Sequence, residues 1–408
     1  MKRLPQTIAL FVLHATLALA PAPAPALAAQ PPIRSEAALT RYLQHTPAGT
    51  SPLDRLSPGA RKRFLAQLDF GPRGLRSIPL RDLDEELTHP QIVQLLALFG
   101  AQEYATAGLA PAEHARRENE RRQDAGARGC TVTTCAESDL EQRYDQFVLY
   151  QADFAMPEAQ RFTLAGQRYD KLFGRYQIAD RLHSLGAVDL RLLKRAADEA
   201  VYYVPSDTHI SQLRMDLDEM QRRHMATDKD YSTLHQALVA RRDFDGAKML
   251  ALHHRGMETE AVPTFRKPVA LPAGQPTALT VDMHDGTMTR QAFDLSRPLS
   301  IVVVASCHFS RDAARAIEAD AQLRPIFAAD AIWLASQGER LSAVIDWNRE
   351  FPDQPIHVAW QDSEWSMLDS WAMPTFYVFR HGRLVKKFSG WSNATTLKQS
   401  LQAAGVLH

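Results

Sequence analysis

Residues 301–310 read IVVVASCHFS, an apolar, β-branched run that ends at a cysteine. Such a run predicts a buried strand, and the charged, Ala-rich sequence from Arg311 to Glu318 predicts a helix directly after it. Cys307 therefore lies between a strand and a helix N-terminus, where unpaired amides and the helix dipole stabilise a thiolate. Because the thiolate is the form that attacks disulfides, this stretch predicts thiol–disulfide exchange.

The chain around this stretch alternates between strand and helix patterns from about residue 279 onwards. Helix patterns at 341–351 and 365–371, and a last helix that Ser392 or Asn393 caps, separate apolar strand patterns. Alternation that ends in a hairpin and a helix predicts a three-layer α/β domain with a central mixed sheet over residues 278–408. The strand patterns lie at 279–283, 288–293, 301–304, 331–335, 356–360, 375–380 and 384–388.

Upstream of this domain the patterns are helical. Residues 29–136 predict a helical N-terminal region, and residues 137–260 a helical bundle or repeat-like region. The second region opens with Ser138-x-x-Glu141, a capping box. Its Asp243-Phe244-x-x-Ala247 string is similar to the step between helices in tetratricopeptide repeats, but a single copy favours an irregular bundle.

Two further segments differ in composition from these regions. Residues 261–277 contain four prolines and little apolar periodicity, which predicts a linker. Residues 1–28 begin with Lys2 and Arg3, continue with an apolar core, and end in the small-x-small pattern Ala26-Leu27-Ala28, which predicts a secretory signal peptide. A retained membrane anchor is the alternative, but His14 and a Pro-rich stretch leave the core too short to span a bilayer.

Export is therefore expected, to the periplasm or the outside of the cell, without stable membrane insertion after the signal is removed.

The 408 residues are 45% hydrophobic and 23% charged, as in globular proteins, and the formal net charge is zero. No broad basic field indicates a nucleic-acid partner. The sequence lacks His-Glu-x-x-His, phosphate-loop and dinucleotide-binding motifs, so we expect neither a metal nor a cofactor.

The chain has three cysteines, which in an exported protein indicate one disulfide and one free thiol. Cys130 and Cys135 flank four residues and predict a structural disulfide. A redox-active pair is the alternative, as is a role for one of them in resolving disulfides formed by Cys307. Metal binding by this pair would need further ligands, which do not lie nearby at the usual spacings.

The C-terminal domain resembles the thioredoxin-like superfamily, in its exported, redoxin-type branch. Three features carry the resemblance: Cys307-His308-Phe309-Ser310 at a strand-to-helix turn, Met373-Pro374-Thr375-Phe376 before a hairpin, and the Gly382 turn followed by a closing helix. The resemblance implies that Pro374 is cis and faces the cysteine. It also implies that Met373, Pro374 and Thr375 contact the substrate. Pro263-Thr264-Phe265 repeats part of the motif but has no strand pattern.

The chain departs from thioredoxins at three positions. Ser310 replaces the resolving thiol, Ser306 the usual aromatic residue, and Ile301 the buried acid. A dithiol reductase or oxidase that uses this domain alone is therefore not expected. The Cys-His-Phe-Ser motif is similar to monothiol glutaredoxins and to monothiol retention proteins of the endoplasmic reticulum, which implies lasting mixed disulfides.

In this hypothesis Cys307 attacks a client disulfide or thiol adduct, and Ser310 donates a hydrogen bond to its thiolate. His308 adds positive charge when protonated. The partners would be proteins with thiols or disulfides, released by glutathione, an exported reductase or a second client cysteine. The alternative function is a redox-inactive binding or scaffold module built from the same fold and helices.

Overall fold

The computed structural model describes residues 31–153, 155–257, 259–268 and 270–407. The predicted signal peptide lies outside the described residues. The chain divides into two compact units: the described residues up to 56 together with 67–111, and residues 57–66 together with those from 112 onwards. The domain boundaries stated above stay predictions.

The helices of the described residues are, in chain order, α1 (Glu36–His45), α2 (Pro58–Gln67), α3 (Arg81–Glu86), α4 (His89–Ala97), α5 (Pro111–Ala127), α6 (Asp139–Val148), α7 (Glu158–Phe173), α8 (Ala179–Ser184), α9 (Ala187–Tyr203), α10 (Asp207–Arg222), α11 (Ser232–Ala240), α12 (Phe244–His253), α13 (His308–Ala319), α14 (Leu323–Asp330), α15 (Leu341–Glu350) and α16 (Ala394–Ala403). Within the part of the chain that the structure describes, none of these helices is both long and apolar enough to cross a membrane.

The strands are β1 (Asp69–Gly71), β2 (Gly74–Ser77), β3 (Thr264–Arg266), β4 (Thr277–Asp282), β5 (Thr287–Ala292), β6 (Ser300–Val304), β7 (Ala331–Ala335), β8 (Ile356–Ala359), β9 (Thr375–Arg380) and β10 (Arg383–Ser389). They form a two-stranded sheet, β1–β2, and an eight-stranded sheet in the order β10-β9-β6-β7-β8-β4-β5-β3.

The first unit contains α1, α3, α4 and the β1–β2 hairpin. Ser35 caps α1, since its hydroxyl accepts a hydrogen bond from the amide of Ala38 at 3.2 Å. The hairpin was not predicted, because strands of three and four residues are too short to show a period of two. Leu83, Leu95 and Leu96 are fully buried here.

The helical part of the second unit packs around α9. Helices α6, α7, α10 and α11 contact it. Its inward residues, including Leu193, Ala197 and Ala200, are completely buried. Their spacing of three and four residues is that of one helix face, and their small or compact side chains let neighbouring helices approach closely.

The predicted capping box at α6 is only half formed. The hydroxyl of Ser138 accepts a hydrogen bond from the amide of Glu141 at 2.9 Å, as expected. The Glu141 carboxylate lies instead 3.4 Å from the guanidinium of Arg63 on α2. The capping-box pattern predicts that the Glu141 carboxylate accepts from the amide of Ser138. In the structure this carboxylate pairs with the buried Arg63 instead.

The eight-stranded sheet is mixed, so the predicted combination of a helical region with an α/β region is confirmed. Strands β6, β7 and β8 are parallel, β9 runs antiparallel to β6, and β9 pairs with β10 as a hairpin. All of β6 is buried. Val302 and Val304 enter the core on one face of the sheet, and Ile301 and Val303 the core on the other, which explains the unbroken apolar run.

Segment 261–277 contains a strand that its sequence pattern does not predict. Thr264–Arg266 form β3, the edge strand of the large sheet, which pairs in parallel with β5. The ring of Phe265 contacts two other rings. Its centroid is 5.2 Å from that of Phe244 and 5.6 Å from that of Trp360. Long-range aromatic packing, which leaves no local period, is the reason that this strand escapes prediction.

Arg242 joins the helical part to the large sheet. Its guanidinium donates hydrogen bonds to the carbonyl groups of Ala359 and Trp360 at the end of β8. In return, the side chain of Gln337 after β7 donates to the carbonyl of Ala240 at 2.9 Å. Burial lowers the pKa of Arg242 to about 10, so this guanidinium stays charged at neutral pH.

Candidate functional site

Cys307 lies at the carboxyl end of β6, as the N-cap residue of α13. Its backbone is extended, with φ −72° and ψ 171°, so the chain turns from strand to helix at this residue. The side chain is partly exposed and makes no capping hydrogen bond to its own helix. Its sulfur is therefore available to a reaction partner.

Two oxygen atoms lie close to this sulfur. The hydroxyl oxygen of Ser310 is 3.4 Å from it, and the carbonyl oxygen of Met373 is 3.7 Å from it. Ser310 follows three residues later on the same helix face and is completely buried. The hydroxyl can donate to a thiolate, and the carbonyl can accept from a thiol.

The second side of the site is the loop that leads into β9. Strand pairing sets Thr375 opposite Val304, the last residue of β6, and this register brings the loop beside Cys307. The Met373–Pro374 peptide bond is cis. The hydroxyl of the fully buried Thr375 donates to the carbonyl of Ala372 at 2.6 Å and lies 2.9 Å from the hydroxyl of Ser389. The carbonyl of Met373 thus lies beside the thiol, and Pro374 and Thr375 lead from it into β9.

The prediction of a helix over 365–371 is wrong. A short 3₁₀ turn covers Asp362–Trp365, and the residues up to Pro374 form the loop. The hydroxyl of Tyr377 holds this loop, because it accepts from the amide of Ser370 at 3.0 Å and contacts the Asp369 carboxylate at 2.9 Å. Sequence reasoning missed Tyr377, although a buried tyrosine in a strand signals a hydroxyl that needs partners.

His308 and Phe309 form the exposed face of the first turn of α13. Their rings pack together with centroids 3.8 Å apart, and 51% of Phe309 is exposed. Within the described residues no hydrogen bond links His308 to the thiol of Cys307. Met373, whose carbonyl lies near the sulfur, is also exposed, at 42%. Sequence reasoning did not assign Phe309 to the site.

The cations that follow on α13 are paired. Arg311 and Arg315 both form ion pairs with Glu350 on α15, the latter at 2.6 Å. The guanidinium of Arg311 also lies over the ring of Trp347, 5.5 Å from its centroid. These side chains anchor the helix against α15.

The other two cysteines form a disulfide, with Cα atoms 5.2 Å apart. Helix α5 ends at Ala127, and Gly129, whose φ of 72° turns the chain, precedes Cys130. The amide of Cys130 donates to the carbonyl of Ala125 at 3.0 Å. The Cys135 amide bonds the carbonyl of Thr131 at 2.9 Å. The disulfide thus closes a tight turn.

Among the described residues, the structure contains no group of three or more His, Cys, Asp or Glu side chains arranged to hold a metal ion. No family model, no curated protein and no solved structure matches the chain.

Proposed function

We propose that the protein is an exported, thioredoxin-like protein that exchanges thiols and disulfides through the single cysteine Cys307. The observation that carries this proposal is the position of the Cys307 sulfur. It lies at a strand-to-helix turn, 3.4 Å from the Ser310 hydroxyl and 3.7 Å from the carbonyl that precedes the cis proline Pro374. A partly exposed sulfur at a helix start is suited to nucleophilic attack.

The topology around this sulfur supports the thioredoxin-like part of the proposal. In chain order, β6, α13, α14 and β7 make a parallel crossover, and β9, β10 and α16 complete a hairpin and a closing helix. In space, β6 lies between the parallel β7 and the antiparallel β9. The three sequence features of the resemblance thus belong to adjacent elements of one sheet.

The reaction would begin when the Cys307 thiolate attacks one sulfur of a client disulfide. A Cys307–client disulfide forms, and the other client sulfur leaves as a thiolate. Ser310 would donate its hydroxyl hydrogen to the Cys307 sulfur whenever that sulfur is anionic. If a second client thiolate then attacks the client sulfur of the mixed disulfide, Cys307 leaves as a thiolate. The client disulfide is rearranged with no net oxidation or reduction.

An external thiol would give a different product. If glutathione or a thiol of an exported reductase attacks the Cys307 sulfur, the client leaves reduced and Cys307 carries the adduct. A second external thiol then removes this adduct and is itself oxidised. Since Ser310 cannot carry out the resolving step, the mixed disulfide should last until one of these thiols arrives.

A trapping experiment tests this proposal. The mature chain would be mixed with a disulfide-bonded client such as scrambled ribonuclease, quenched with acid, alkylated and separated without reductant. We expect a client adduct that mass spectrometry assigns to Cys307. The matched control is Cys307→Ser, which keeps the size of the side chain and should give no adduct.

The alternative function, a redox-inactive binding or scaffold module, predicts another outcome. The exposed side chains of Phe309, on the first turn of α13, and of Met373, in the loop before β9, favour it, since they are apolar with or without thiol chemistry. If the wild-type chain forms no adduct and the Cys307→Ser variant replaces it fully in the exporting cell, exchange through Cys307 fails and the binding function remains.

A further inference from the structure

The inner face of α10 carries a carboxyl group in the middle of the helical core. Leu213, Leu217 and Met220 are buried on this face, and Asp216 lies among them with an exposed fraction of 0%. Side chains that are three, four and seven residues apart point to the same side of a helix. Asp216 therefore occupies a core position of α10 that would ordinarily be apolar.

The hydrogen bonding of Asp216 is incomplete within the part of the chain that the structure describes. Its Oδ2 atom accepts from the side-chain amide of Gln177 at 3.2 Å. The same amide also donates to the hydroxyl of Tyr169 on α7, at 2.9 Å. The Oδ1 atom of Asp216 is buried and has no hydrogen-bond partner. A neutral amide at this distance supplies no counter-charge.

The nearby cation, Lys194 on α9, is paired with two other carboxylates. Its ammonium lies 3.0 Å from Asp198 on the same helix and 3.3 Å from Asp230, which precedes α11. Asp230 also accepts from the amide and the hydroxyl of Thr227, at 2.8 and 2.7 Å. These two carboxylates already outnumber the ammonium, so it cannot also neutralise an ionised Asp216.

Other charged groups on the elements around α10 have partners of their own. His235 on α11 stays neutral, because burial lowers its pKa. Within the described residues, no basic side chain forms an ion pair with Asp216. The remaining pairs are Glu219 with Arg223 and His183 towards α8, Asp170 on α7 with His209, Arg117 on α5 with Glu113, and Arg195 on α9 with the ring of Tyr144.

These surroundings favour the neutral form of the acid. Moving an ionised carboxylate out of water without a counter-charge is so costly that the group takes up a proton instead. Burial accordingly raises the pKa of Asp216 well above its usual range. The Gln177 hydrogen bond and the charge of Lys194 oppose this shift, while the charge of Asp198 adds to it.

We infer that Asp216 keeps its proton at neutral pH, and that this proton holds α10 against α9. Loss of the proton at higher pH places an uncompensated charge inside the helical core, so the helices open more often. This pH-sensitive device does not depend on the chemistry of Cys307.

The direction of the pH dependence follows from the proton balance. In the unfolded chain the carboxyl group ionises with an ordinary pKa of about 3.9. Opening of the helices above this pH therefore releases the proton of Asp216 to water. The contribution of Asp216 to stability is complete below about pH 3.9 and is lost as the pH rises through the raised pKa of the folded state.

Hydrogen exchange tests the inference on the full mature chain. Asp216→Asn is the matched variant, because asparagine has the shape of the neutral acid and cannot ionise. Exchange at the amides of Leu213 and Leu217 would be measured in both proteins at pH 5, 6, 7 and 8. Their rate ratio removes the intrinsic pH dependence of exchange. We expect the wild-type rate to rise relative to the variant by up to about tenfold per pH unit. A constant ratio overturns the inference.

A second variant separates the buried acid from a general effect of charge. Asp180 on the neighbouring helix α8 is exposed, and Asp180→Asn should leave the exchange of α10 unchanged at each pH. If Asp180→Asn changes the pH dependence as much as Asp216→Asn does, the effect does not come from the buried position and the inference fails.

Infrared spectroscopy of the unaltered chain decides the matter if Asp216→Asn folds poorly. A protonated carboxyl group absorbs at a frequency distinct from that of a carboxylate. We expect the folded wild type to show this band at pH 7 and to lose it on thermal unfolding at the same pH. A folded wild-type chain without the band would show that Asp216 is ionised, which refutes the inference.

Discussion

The hydroxyl oxygen of Ser310 lies 3.4 Å from the sulfur of Cys307, one helical turn further along α13. A cysteine at position 310 would therefore place a second sulfur where a modest side-chain rotation reaches the length of a disulfide, about 2.05 Å. Ser310 occupies the position from which a mixed disulfide could be resolved.

The variant Ser310→Cys is accordingly expected to form a disulfide between its introduced thiol and Cys307 on oxidation, and to shorten the lifetime of client adducts at least tenfold. Non-reducing peptide mapping and the decay of a trapped adduct measure both effects. Ser306→Cys adds a thiol at the residue next to Cys307 and is the matched control. Adduct lifetimes that are equal in the two variants would contradict this geometry.

His357 on β8 should make stability depend on pH. Burial lowers its pKa to about 4, and its Nδ1 atom lies 3.0 Å from the Thr280 hydroxyl. The unfolded chain, with an ordinary histidine pKa near 6.5, binds the proton more tightly, so stability is present above pH 6.5 and lost as the pH falls towards 4. The loss amounts to at most about 3 kcal/mol.

Urea unfolding at pH 7.5, 6 and 5 measures this contribution. The variant His357→Gln can keep the contact with Thr280, and it should lose less stability on acidification than the wild type. His308→Gln removes an exposed histidine and should follow the wild-type curve. Parallel curves for His357→Gln and the wild type would show that the buried imidazole is not responsible.

Arg242 should stabilise the chain far more than its neighbour Arg241. Arg242→Lys cannot keep the forked contacts to the Ala359 and Trp360 carbonyls and is expected to cost about 2 kcal/mol of unfolding free energy. Arg241 forms a surface ion pair with Asp207, so Arg241→Lys should cost less than about 0.5 kcal/mol. Denaturant titration of the two variants compares these costs, and equal values would be inconsistent with the role of Arg242.

Removal of the Tyr377 hydroxyl should loosen the loop before Pro374. Tyr377→Phe leaves the amide of Ser370 and the Asp369 carboxylate without this partner, at a cost of about 1–2 kcal/mol. We expect faster hydrogen exchange at Ser370 and altered alkylation of Cys307 by iodoacetamide. Unchanged exchange at Ser370 would show that other contacts hold the loop.

Local patterns predicted the parts of the site that are close in sequence. The abrupt change from β-branched to charged residues marked β6 and α13, and the spacing of three residues placed Ser310 beside Cys307. For the last helix the pattern left two caps open, and Asn393 is the one whose side chain accepts from the amide of Thr396. In each case the decisive interaction spans only a few residues.

Interactions between distant residues could not be predicted in this way. Arg242 reaches carbonyl groups more than a hundred residues away, and Glu141 leaves its expected helix cap for Arg63. The 365–371 segment has helix-like periodicity, but the Tyr377 hydroxyl and the following Pro374 hold it as a loop. Tertiary partners overruled local preference at all of these positions.

The short ring closed by Cys130 and Cys135 limits how much the disulfide can do for the whole chain. Loop-closure entropy for so short a ring corresponds to about 2 kcal/mol, less than half of what a ring of about 100 residues would give. The bridge joins no distant segments, and the bundle core around α9 does not include it. Its reduction should therefore release the turn at 130–135 while the helices stay folded, which makes this disulfide a local restraint and not a support of the whole fold.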